Sequence, residues 1–220
     1  MSGFLRNQHH EFDPVWHVQI ALVFALSLQL LLPDRFSFGL HYVLPWVVGM
    51  LIVSLSFTTP RARTYKSLHR RLNVITLIAI ITAANVYSLI VVAEHLLRPG
   101  IVPDGRALIL TAINIFITNI IIFALWYWEM DGGGPGERVL VQKHEQDFLF
   151  AQHRNELYKH PSWKPTFADY LYISGVNAMS FSPGDALPLS RRAKMMMMVQ
   201  AVTSLVTIFL VAARAVGILS

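Results

Sequence analysis

Asn177, Ser180, Ser182 and Asp185 stand close together in the run Asn177-Ala-Met-Ser-Phe-Ser-Pro-Gly-Asp185. Between them they offer an amide, two hydroxyls and a carboxylate. Oxygen-rich groups spaced along a loop suit the replacement of water around a small ion or solute. They do not suit bond-making chemistry, because no nucleophile here has a base beside it. Further on, Gln200, Ser204, Thr207 and Arg214 follow one another at offsets of 4, 7 and 14 from Gln200, which places them along one face of a helix. That polar stripe runs toward the loop and is the natural wall of a path past it. Asp185 is the carboxylate singled out. Asp169 comes second, at the start of a short apolar run where a carboxylate complements the positive end of a helix.

Each of these residues has a plainer alternative. Ser182-Pro-Gly-Asp185 carries proline and glycine at the second and third positions of a type II turn, and so can be a simple connection. Thr111, Asn114 and Thr118, Thr82, Asn85 and Ser88, and the stripe itself can join helices by hydrogen bonds across a bundle. Glu94 and Arg214 are charges placed near the ends of long apolar runs, where they can pair with each other or reach for headgroups.

Other chemistry is poorly represented. The chain has no cysteine, so thiolate ligands and nucleophiles are excluded. Its histidines form no His-x-x-x-His or Glu-x-x-His pattern on a confident helix, and we expect no metal or cofactor. Gly132-Gly-Gly-Pro-Gly136 follows an apolar helix rather than a strand, unlike a phosphate-binding loop. An enzyme is not expected.

The elements that must position these residues are membrane helices. Of 220 residues, 54% are apolar and 14% charged, and the apolar ones fall in long blocks. A hydrocarbon core of about 30 Å takes roughly 20 apolar residues in a helix, and five stretches approach that: 15–32, 41–58, 73–97, 107–128 and 195–218. The expected fold is therefore an all-α polytopic transmembrane bundle, one domain over 1–220, with five spans and one short re-entrant or interfacial helix in a pore-loop-like segment at 166–190. The run Phe167–Phe181 is too short to cross. Were it to cross, Arg191, Arg192 and Lys194 would move to the outer side, against the charge rule. Ser190 is placed to cap the last helix.

The net charge is +5 and sits in particular loops. Arg61, Arg63, Lys66, Arg70 and Arg71 crowd the connection between the second and third spans. The positive-inside rule puts that loop and the N-terminus in the cytoplasm and the C-terminus outside. Arg61, Arg63, Arg70, Arg71, Arg191 and Arg192 then form a basic surface for anionic lipid headgroups. Nothing suggests nucleic acid. Trp126-Tyr-Trp-Glu-Met-Asp131 ends the fourth span as an aromatic belt meeting acid, with the glycine run as hinge or tight turn and Asp147-Phe-Leu-Phe150 as an interfacial anchor.

Trp128-Glu-Met-Asp-Gly-Gly-Gly-Pro135, Asp147-Phe-Leu-Phe150, Phe167-Ala-Asp-Tyr-Leu-Tyr172, Asn177 to Asp185, Pro188-Leu-Ser-Arg191 and Ala213-Arg-Ala-Val216 resemble the C-terminal half of an uncharacterised family of bacterial integral membrane proteins. The resemblance implies an inner-membrane location and no established activity. More distantly, the order of helix, short pore helix, turn ending in Asp and final helix is similar to the pore module of potassium channels. Both glycines of that filter are absent here, and Pro183 fixes its own φ where the filter needs freedom. The expected function is a channel-like or transport-like role, passing a small ion or solute as a homo-oligomer past Asn177, Ser180, Ser182 and Asp185. The alternative is a non-conducting membrane scaffold or sensor whose basic cytoplasmic surface binds anionic lipid or a partner protein.

Overall fold

The structure is a computed structural model that describes residues 16–30, 49, 68–97, 105–140, 146–154 and 163–219. The expected span 41–58, apart from Gly49, and the basic residues Arg61 and Arg63 lie outside the described residues. The elements are α1 (Trp16–Leu30), α2 (Leu68–Leu97), α3 (Gly105–Met130), a 3-10 turn (Asp131–Gly133), α4 (Pro135–Leu140), β1 (Phe148–Leu149), α5 (Ala151–Arg154), α6 (Phe167–Ser180), β2 (Leu187–Pro188) and α7 (Arg191–Leu219).

The protein is mostly helical, as its blocks of apolar residues require. Among the described residues, three helices are long and apolar enough to cross a membrane: Arg71–Leu96, Ala107–Gly133 and Arg191–Arg214. The third, fourth and fifth expected spans correspond to these. The first expected span appears as α1, whose 15 residues reach about 22 Å.

Helix α3 is the hub, with α1, α2, α6 and α7 packed around it. Its sequence explains the position: Ile115, Ile122, Ala124, Leu125, Tyr127 and Trp128 are all buried against neighbours, while Leu110, Ile113 and Ile117 form an exposed apolar face of the kind lipid covers. By contrast α7 buries Ala193, Met197, Gln200, Ser204 and Thr207, a single stripe. On its other side Met195, Met198, Val199, Val202 and Phe209 are exposed, as a lipid-facing helix allows.

At its C-terminal end α3 stops where glycine permits a reversal. Gly132, Gly133 and Gly134 all have positive φ. A Cβ on Gly134 would also fall 3.1 Å from the Glu129 carbonyl oxygen, so glycine is needed there on two counts. The segment expected to anchor at the interface instead turns inward. Phe148 and Phe150 are buried in the main core, with Phe148 tilted against Tyr127 and edge-on to Tyr170. The cause is the two-stranded antiparallel pairing Phe148↔Pro188 and Leu149↔Leu187, a contact between residues far apart in sequence.

Candidate functional site

The segment from Thr166 to Ser190 forms a hairpin of one helix and one returning limb. Helix α6 begins with a capping box: the Asp169 carboxylate accepts the backbone N–H and hydroxyl of Thr166. The helix-start role expected of Asp169 is the one observed. Phe167 packs edge-on against Trp128, and further along Ser174 Oγ donates to the Ile120 carbonyl at 2.7 Å. Helix α6 therefore runs antiparallel to α3, entering at its C-terminal end and descending toward its middle.

Tyr170, Ile173, Ser174, Asn177 and Ala178 are buried against α3 and α7. Tyr172 and Val176 stand on the opposite face, and there the returning limb lies. A Cβ on Gly184 would come within 3.1 Å of Val176 Cγ1, and Tyr172 Oη donates to Asp185 Oδ2 at 3.4 Å. The layers are thus α3, then α6, then the returning limb outermost. Ser190 Oγ accepts the Ala193 N–H at 3.1 Å, which fulfils the expected cap of α7.

One carboxylate holds the first limb directly and the second through β1. Asp131, buried at the end of α3, accepts the Tyr170 hydroxyl from the first limb. It also accepts the backbone N–H groups of Asp147 and Phe148, and Asp147 in turn accepts the Leu189 N–H at 2.8 Å. Arg138 closes the cluster, donating to the Trp128 and Asp131 carbonyls at 2.6 and 2.7 Å and lying over the Trp128 and Tyr170 rings. A cation at the C-terminus of α3 is favoured by the helix dipole. Arg71 of α2 reaches Glu129 at 3.7 Å, so the start of α2 lies at this same end.

A second cluster fixes the middle of the hairpin. Gln200 donates to the carbonyl and hydroxyl of Ser174 at 3.0 and 2.7 Å. Its own oxygen accepts from Asn177 at 2.8 Å and from the Tyr127 hydroxyl. Asn177 also donates to the Met197 carbonyl at 3.0 Å, and Asn119 donates to Ser204 Oγ at 2.9 Å. Three helices are thereby joined through buried amides and hydroxyls, each with its hydrogen bonds made inside the protein.

The residues expected to share one path fall into two groups. Asn177, Gln200, Ser204 and Thr207 are buried between helices, Thr207 donating to the Thr203 carbonyl of its own helix. Ser180, Ser182 and Asp185 are exposed on the hairpin. Glu94 is exposed near the end of α2 and Arg214 half-buried toward the end of α7, both remote from the Asp131 cluster. Sequence reasoning singled out neither Asp131, Arg138 nor Tyr170 as a site. The only signal was an acid directly before three glycines, and its partners come from other parts of the chain.

The fold and this arrangement define a class: a helical membrane protein with a helix-and-return hairpin pinned to its central helix. No family model, curated protein or solved structure matches the chain.

Proposed function

We propose that this chain is a subunit of a channel-like or transport-like membrane assembly in which the hairpin borders a path for a small cation. The observation that carries this reading is the exposure of Ser180, Ser182 and Asp185 on the outermost layer of the hairpin, beside helices apolar enough to lie in lipid. Three features of the hairpin favour a cation: the Asp185 carboxylate, the serine oxygens, and the C-terminal end of α6, which carries the negative end of a helix dipole. Asn177, Gln200 and Ser204 then serve as positioning residues that hold the hairpin, and Ser180, Ser182 and Asp185 border the path. One five-helix protomer has little room for a pore, so several copies are required around an axis.

Reconstituted proteoliposomes provide the test. Cation flux should exceed that of empty vesicles, and Asp185→Asn should reduce it several-fold while leaving the protein folded. Absence of cation, anion and small-solute flux would sink the proposal. A non-conducting lipid-binding scaffold would then stand in its place, favoured by the exposure of Arg191, Arg192 and Lys194 in the first turn of α7.

A further inference from the structure

Measured along the apolar span of α3, the hairpin turns at a level where irregular backbone needs protein or water around it. The apolar span of α3, Ala107–Gly133, has its midpoint at Ile120, and Ser174 of α6 donates to the Ile120 carbonyl. Six more residues carry α6 to Ser180, about 9 Å further. The turn at Ser180 to Pro183 therefore lies beyond mid-span.

Polar backbone is concentrated at that level. The last four carbonyls of any helix lack intrahelical partners; in α6 the Asn177 carbonyl is taken by the Phe181 N–H at 3.0 Å, which leaves the carbonyls of the final three residues to be met from outside the helix. Ser180, Ser182 and Gly184 are exposed. Phe181 holds a left-handed backbone, φ 52°, with 47% of its surface exposed. A bulky residue in that conformation is strained, and here it forms the C-cap of α6. Irregular backbone at membrane depth persists only where protein covers it or water reaches it.

We infer that a second copy of this chain covers the turn, with the hairpins of neighbouring copies meeting through residues 179–185. The chemistry at the turn is self-complementary. It presents carbonyl and carboxylate acceptors together with the hydroxyls of Ser180 and Ser182 and the backbone N–H groups of Gly184 and Asp185. The apolar run 41–58 of the same chain is a poorer partner, since between Val47 and Phe57 only Ser54 and Ser56 are polar. Acyl chains supply no donors at all. Phe181 and Met179, 61% exposed, add apolar contact around the polar centre. The contact is argued from the turn's own backbone and side chains and not from flux, so it stands apart from the flux reading.

The absence of native cysteine makes the test direct. Full-length chains carrying Ser182→Cys or Ser180→Cys are oxidised in native membranes. The expected result is a disulfide-linked dimer as the main product for at least one of the two. Ala83→Cys, exposed on α2, should stay monomeric under the same conditions. Dimer yields no higher than for Ala83→Cys would overturn the inference. So would a Ser182→Cys/Ser54→Cys chain that closes an internal disulfide in place of the dimer, since the chain would then cover its own turn. Dimer formation without flux would leave the interface standing and remove the channel.

Discussion

Gly184 shows how narrowly a single position can be specified. Its φ is +61° and a Cβ would sit 3.1 Å from Val176 Cγ1, so Gly184→Ala meets backbone strain and a tight contact together. The left-handed conformation alone costs about 1–2 kcal/mol for a residue with a Cβ. Gly184→Ala should therefore lower the thermal unfolding temperature in detergent, whereas Ala168→Gly on the exposed face of α6 should cost no more than about 1 kcal/mol. Equal effects of the two changes would contradict the packing of the returning limb on α6. Ser-Pro-Gly-Asp was legible as a turn from its residue types. That its glycine also makes a close contact was not, because Val176 meets it only when the limb folds back.

At the level of elements, the hairpin is fastened at its two ends by Asp131 and in its middle by Gln200. Hydrogen bonds between membrane helices average about 0.6 kcal/mol and reach about 1.7. Gln200, however, bonds to Ser174, Asn177 and Tyr127 at once. The pair Asn177→Ala and Gln200→Ala should therefore show a coupling energy of about 0.5–1.5 kcal/mol in a double-mutant cycle followed by unfolding in detergent. Strict additivity would mean that the two side chains do not act together. The stripe of Gln200, Ser204 and Thr207 was visible from helical periodicity, and its inward orientation follows from polar groups avoiding lipid. Periodicity gives a face and no partner. Whether that face meets water or another helix depends on α3 and α6, and here Tyr127, Ser174, Asn119 and Asn177 fill it.

For the molecule as a whole, the Asp131 cluster sets which loops share a side. The Arg71–Glu129 pair, the β1–β2 pairing and the cap of α7 gather the starts of α2 and α7 with the end of α3. An impermeant maleimide should then modify Gln152→Cys and Lys194→Cys, both exposed, from the same side of sealed vesicles. By the positive-inside rule that side is expected to be the cytoplasm, and labelling should then succeed in inverted vesicles and fail in intact cells. Labelling of the two from opposite sides would break the described fold. The sequence by itself determined the class, because long apolar blocks with few charges leave helices in lipid as the only arrangement that satisfies their backbone. It also determined the short helix, its Asp169 start, the turn and the Ser190 cap, since these depend on neighbours within a few residues. Only the tertiary structure decided that Asp131 joins α6 to β1, that Phe148 and Phe150 turn inward, and that Asn177 and Gln200 face each other while Ser182 and Asp185 face out. Those contacts join residues 16 to 40 positions apart or more, and no local pattern of residue types encodes which distant groups will meet.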